Sequence, residues 1–90
     1  MRAYDQGSLV RVTASENEVA AFKSRWPCSG LPTRAFWCVM DKRNGDLVDI
    51  RDGFDGDAAC ALVDDCKAYA RSRIPSFDAL APASTSALGA

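Results

Sequence analysis

Alternating apolar and polar residues near the start of the chain predict a first β-strand over residues 8–13. Val10 and Val12 lie on one side of this segment, and Leu9 and Arg11 lie on the other. Successive side chains of a strand point to opposite faces of a sheet, so strict alternation is typical of a half-buried strand. We therefore expect only one face of this strand to be buried.

A hairpin is predicted in the second half of the chain. Residues 35–40 read Ala-Phe-Trp-Cys-Val-Met, and aromatic and β-branched residues of this kind favour a strand. Residues 47–50 supply the returning strand. The dipeptide Asn44-Gly45 between them is typical of a tight hairpin turn.

Two registers of this hairpin are open. A two-residue turn pairs Val39 with Ile50. A three-residue turn pairs Cys38 with Ile50 instead, and Met40 then pairs with Val48. We expect the three-residue turn, because a one-residue slip inverts every side chain and only this register gives one clean apolar face. That face holds Phe36, Cys38, Met40, Val48 and Ile50.

A first helix is predicted over residues 16–26. Ser15 and Glu18 have the spacing of a capping box, in which each residue satisfies a free backbone N–H of the other. Pro27 ends the helix, because the residue before a proline avoids the α region. We expect Trp26 to pack against the core.

A second helix is predicted over residues 57–73, with Asp55 or Asp57 as its N-cap. Its apolar stripe consists of Ala59, Leu62, Val63, Cys66 and Tyr69 or Ala70. These elements predict a small α+β domain in the order β-α-β-β-α, with an antiparallel hairpin packed against two helices. We expect the domain to span residues 1–74 and residues 75–90 to form a flexible tail.

Charge is spread unevenly over the chain, although the net charge is only −1. Residues 41–67 carry eight aspartates against four basic residues. Nucleic-acid-binding proteins usually carry a basic stripe, and none is visible along the sequence. The charge pattern of the sequence therefore disfavours direct binding of nucleic acid.

The composition argues against an enzyme. The chain contains no histidine, which removes the commonest general base and metal ligand. The four cysteines lack the close spacing of a zinc site. Asp52, Asp55 and Asp57 do not match a calcium-binding loop, because the third and fifth positions counted from Asp52 are Phe54 and Gly56. We expect no catalytic residue, no metal and no cofactor.

No apolar run reaches the ~18 residues needed to span a membrane. Residues 1–7 lack the apolar core of a secretion signal. We therefore expect a cytoplasmic protein whose cysteines are free thiols, because the cytosol is reducing. Pro27 and Pro32 predict a loop over residues 27–33, and Cys28 within it is the thiol expected to be exposed.

Trp37 is the candidate binding residue. In the preferred register it lies on the sheet face opposite the core, and an aromatic residue within a charged rim is typical of an interaction hot spot. The alternative is that a helix, the loop or the tail covers it. The expected binding residues are Trp37, Val39, Leu47, Asp41, Asp49 and Arg51.

The segment Trp26–Pro32, the aromatic strand after it and the segment Asn44–Asp49 together resemble small uncharacterised proteins of bacterial phages, plasmids and integrative elements. The resemblance covers roughly residues 15–73. It implies no catalytic residue. It does imply a partner protein encoded by the host or by the mobile element.

The sequence thus predicts a non-enzymatic module that binds and modulates or inhibits another protein, such as a host-defence protein. Its acidic middle would imitate nucleic-acid phosphates, and pairing of two copies is left open. The alternative is a regulator associated with nucleic acid through scattered arginines. The arginines expected to contact phosphates are Arg2, Arg11, Arg25 and Arg34.

Overall fold

The computed structural model describes residues 1–26 and 30–77. In these ranges the chain forms a four-stranded antiparallel sheet and two helices, which confirms the predicted α+β class. The strands lie in the order β1-β2-β3-β4. The elements are β1 (Arg2–Gln6), β2 (Leu9–Ala14), α1 (Glu16–Arg25), β3 (Phe36–Asp41), β4 (Leu47–Ile50) and α2 (Gly56–Arg73).

The first strand, β1, is absent from the predicted order, which becomes β-β-α-β-β-α. The segment was not predicted because it contains no run of large apolar residues. An edge strand is held by its backbone pairing with one neighbour, here β2, and needs little burial. Gly7 and Ser8 form the two-residue connection to β2, and Gly7 has a φ of 77°. Glycine first in such a turn is a known hairpin pattern, so the Gly-Ser dipeptide was the available sequence signal.

Both helices pack on the same face of the sheet. Alternate residues of β2 and β3 are buried, as the alternation predicts, and they form one core with the helices. The buried strand residues are Val10, Val12, Ala14, Phe36, Cys38 and Met40. The helices contribute Val19, Phe22, Ala59, Leu62, Val63, Cys66 and Ala70. The opposite face of the sheet contributes no residue of the described ranges to this core.

The capping box at the start of α1 is confirmed. The Ser15 hydroxyl accepts from the Glu18 N–H at 3.2 Å, and the Glu18 carboxylate accepts from the Ser15 N–H at 2.9 Å. The helix ends at Arg25, one residue earlier than predicted, with Trp26 as its C-cap. Trp26 is 42% exposed and stacks on Phe22, so the expectation that it closes the core is wrong.

The hairpin register differs from the predicted one. Cys38 pairs with Ile50 as expected, but Met40 pairs with Leu47. Val48 falls in the resulting β-bulge, and its side chain is 56% exposed. The predicted place of Val48 on the core face is therefore wrong.

Side-chain hydrogen bonds within the turn account for this register. The Asp41 carboxylate accepts from the Arg43 N–H at 2.8 Å, and the Asn44 amide oxygen accepts from the Asp46 N–H at 2.9 Å. Such bonds stabilise turns locally. The loop then closes over residues 42–45, with the Gly45 N–H donating to the Asp41 carbonyl at 2.7 Å. One additional loop residue shifts β4, and the bulge restores the pairing at Ile50.

The packed part of the chain continues past the predicted domain boundary at residue 74. Ile74 and Phe77 are 6% and 1% exposed, and both belong to the core. The remaining residues of the predicted tail, 78–90, lie outside the described ranges. In the described part of the chain, neither helix is long and apolar enough to cross a membrane.

Candidate functional site

The open face is the side of the sheet that points away from both helices. Cross-strand pairing places its residues in rows, such as Arg2, Thr13, Trp37 and then Arg51, whose N–H donates to the Trp37 carbonyl at 3.2 Å. Among the described residues, no element packs over this face. Its members are Arg2, Tyr4, Gln6, Leu9, Arg11, Thr13, Trp37, Val39, Asp41, Asp49 and Arg51.

Five of the six predicted binding residues share this face. They are Trp37, Val39, Asp41, Asp49 and Arg51. Leu47 is separated from them, because its pairing with Met40 turns it towards α2. There it lines an apolar groove of about 220 Å³ together with Ile50 and Ala59.

The open face contains residues that the sequence analysis did not assign to a site. β1 adds Arg2 and Tyr4, and Tyr4 is 43% exposed. β2 adds Arg11 and Thr13 beside Trp37. The alternation along β2 already separates Arg11 from the buried valines. Only the pairing of β2 with β3, however, brings its side chain next to the tryptophan.

Trp37 lies at the centre of the site. The Arg11 guanidinium lies 5.0 Å from the centroid of the Trp37 ring, within the range of a cation–π contact. Trp37 lines two grooves, one of about 400 Å³ and one of about 450 Å³. The first is also lined by Arg2, Arg11 and Arg51. The second is lined by two arginines and two aspartates, Arg34, Arg51, Asp49 and Asp52.

Arg51 is held in place between these two grooves. Its guanidinium donates to the Ala35 carbonyl at 2.5 Å, just before the start of β3. Arg34 reaches the Asp52 carbonyl at 3.4 Å. Both contacts use neutral carbonyl acceptors, so the positive charges of these two arginines are not neutralised by them.

Of the two carboxylates on the open face, only Asp41 is paired with a basic residue of the described chain. Hydrogen bonds from the Arg43 side chain and backbone hold the pKa of Asp41 below its usual value. Asp49 accepts from the Ile50 N–H at 2.9 Å. Arg2, Arg11 and Arg51 form no salt bridge with any carboxylate in the described ranges. These three guanidinium groups outnumber the one unpaired carboxylate of the face, Asp49, so the face carries a net positive charge around Trp37.

Glu18 is the acidic residue that lines the groove of about 400 Å³ beside Trp37. Its carboxylate pairs with the N-terminal ammonium of Met1, and this hydrogen bond together with the Ser15 N–H lowers the pKa of Glu18. The N-terminal charge offsets the Glu18 charge. Three guanidinium groups then remain to set the sign of the groove.

Three of the four arginines named for phosphate contacts lie on or beside the open face, and the fourth does not. Arg2 and Arg11 lie on the open face, and Arg34 lies at its margin. Arg25 lies apart from them at the end of α1, where it pairs with Asp65 on α2 at 3.1 Å. Arg51, which the sequence analysis assigns to the rim around Trp37, also lines the basic groove.

Metal-ligating side chains do not cluster within residues 1–26 and 30–77, where no three Cys, Asp or Glu residues could hold one ion. Cys38 and Cys66 are fully buried, as predicted from their place on the apolar faces, while Cys60 is exposed. The hydrogen bond with Cys38 and burial raise the pKa of the Cys66 thiol, so it stays protonated at neutral pH. Cys28 lies outside the described residues.

Comparison with known proteins adds no relative. No protein-family model, no curated protein and no solved structure matches this chain.

Proposed function

We propose that this protein is a non-enzymatic binding module whose recognition surface is the open face of its sheet. The observation that carries the proposal is Trp37, set among Arg2, Arg11 and Arg51 on a face that no described element covers. Tryptophan, tyrosine and arginine are the residues that contribute most to binding at macromolecular interfaces. In this proposal the protein modulates or inhibits its partner by occupying the partner's surface.

The charge of the open face supports an anionic partner. The guanidinium groups around Trp37 lack carboxylate partners in the described chain, and Asp41 is neutralised by Arg43. A protein partner, encoded by the host or by a mobile element, would therefore present an acidic surface here. Complementary charge of this kind speeds association and selects among partners.

Two tryptophans in different parts of the domain test this proposal. Tagged native protein, Trp37→Ala and Trp26→Ala are used to capture partners from a bacterial lysate at equal concentrations. Trp26 is exposed on the helical side of the domain, so its loss serves as the control. We expect one partner to be captured by the native protein and by Trp26→Ala, and to be lost with Trp37→Ala.

Folding of each variant is checked by circular dichroism and thermal unfolding. Trp37 does not belong to the buried core, so its replacement should leave the cooperative transition intact. Equal capture by folded Trp37→Ala and native protein would refute the open face as the recognition surface. Treating the captured material with nuclease identifies the chemical class of the partner.

A further inference from the structure

We propose that the open face binds single-stranded nucleic acid, with bases stacked on Trp37 and Tyr4 and phosphates held by Arg2, Arg11 and Arg51. This inference rests on the proposed function and names the partner of the same surface. Proteins that bind single strands combine a positively charged groove with aromatic side chains on which bases stack. The open face brings both features together on three adjacent strands.

The spacing of the two aromatic residues favours an unpaired strand. Tyr4 pairs with Arg11, which pairs with Val39, and Trp37 lies two residues from Val39. Strand separations of ~4.8 Å and a rise of ~3.4 Å per residue place the Cα atoms of Tyr4 and Trp37 roughly 12 Å apart. Neighbouring bases of a duplex are only ~3.4 Å apart. A side-chain ring does not fit between bases stacked at this distance, so bases that stack on Tyr4 and Trp37 must be splayed out, as in an unpaired strand.

The arginines are placed to hold the phosphates of such a strand. Arg11 lies between Tyr4 and Trp37 in the pairing scheme, and Arg2 and Arg51 end the row that contains Trp37. All three line the groove of about 400 Å³ that Trp37 also lines. Guanidinium groups bind phosphate oxygens in a bidentate manner and are always charged. Thr13, between Arg2 and Trp37, adds a hydroxyl that can donate to phosphate.

Acidic residues elsewhere on the domain favour an anionic ligand short enough to contact only the open face. Asp64 and Asp65 lie on α2, which packs on the other side of the sheet. A long duplex extending past the domain gains nothing from those surfaces, and the low net charge of −1 gives no general attraction. An acidic protein satisfies the charge of the groove, but it lacks the regularly spaced planar bases that stack on separate aromatic rings.

The direct test is fluorescence anisotropy with labelled single strands of roughly 12 nucleotides, one of deoxythymidine and one of uridine, and with a duplex of equal length. We expect at least one single strand to bind more tightly than the duplex. Three phosphate contacts predict a slope of log affinity against log salt of about −2 between ~50 and ~200 mM salt. Equal affinity for duplex and single strand, or no binding, would overturn the inference.

Variants locate the binding on the open face. Trp37→Ala should weaken single-strand binding by roughly 5- to 150-fold, because stacking on an aromatic ring contributes ~1–3 kcal/mol per base. Trp26→Ala should leave the affinity unchanged. Arg11→Gln supplies a second variant on the face, with Arg71→Gln on α2 as its control. Equal effects of the face and control variants would contradict the inference.

Failure of this inference is distinguishable from failure of the proposed function. A captured partner that depends on Trp37 but survives nuclease is a protein, so the recognition surface stands and the nucleic-acid inference falls. Full competition by a free mononucleotide at equal nucleotide concentration also overturns it, because a small-molecule site would then suffice.

Discussion

Replacing Phe77 with alanine should destabilise the domain by about 3–5 kcal/mol, the usual cost of deleting a buried aromatic side chain. Phe77 is 1% exposed, and its N–H donates to the Ile74 carbonyl at 3.0 Å. A small domain has only about 5–15 kcal/mol of stability in total. At roughly 4–8 °C per kcal/mol, the melting temperature should fall by at least about 12 °C.

Urea unfolding followed by circular dichroism measures this effect as a shift of the transition midpoint at constant slope. Arg71→Ala, at an exposed position near the end of α2, is the control and should stay within about 0.5 kcal/mol of the native protein. A loss below about 1 kcal/mol for Phe77→Ala would contradict its place in the core. It would also return the domain boundary to residue 74, where the sequence analysis set it.

Reversing two charges on the open face should abolish partner binding without unfolding the protein. In the double variant Arg11→Glu, Arg51→Glu, two guanidinium groups become carboxylates beside Trp37. Each lost charge-assisted contact costs about 1.5–3 kcal/mol, so affinity should fall by at least about 100-fold. The measurement is equilibrium binding of the captured partner or of the labelled single strand.

A second double variant, Arg71→Glu with Arg73→Glu, makes the same change in net charge at the end of α2. It separates the local charge of the groove from the overall charge of the protein. We expect it to reduce affinity by less than about threefold, since surface charges beyond a Debye length of ~10 Å are largely screened. Similar losses in both variants would mean that the open face has no special role.

The helices and the inner face of the sheet follow from local patterns. The capping box at Ser15 and Glu18 determines where α1 begins, and the alternation in residues 9–14 and 36–41 determines which side chains are buried. The first strand escapes this reasoning because it is polar and depends on its partner. The position of Val48 escapes it because hydrogen bonds inside the turn, rather than the apolar pattern, decide the loop length.

The candidate site is predictable only in part for the same reason. Trp37 and Val39 are placed on the outer face by alternation alone. Leu47 leaves that face because of the bulge. Arg11 lies beside Trp37 because β2 pairs with β3, although α1 separates the two strands in the sequence. Long-range pairing therefore changes the expected rim of the site from mainly acidic to basic. The expected partner changes with it: an acidic rim would bind a basic partner, whereas the basic groove binds an anionic one.

Photo-crosslinking from two equally exposed positions tests the open face most directly. A photoreactive phenylalanine derivative is placed at Tyr4, which is 43% exposed on the open face, or at Trp26, which is 42% exposed on the helical side. The proteins are irradiated in bacterial cells, and crosslinked protein or nucleic acid is identified. We predict a specific adduct from position 4 and none from position 26. An adduct from position 26 alone would contradict the open face as the binding surface.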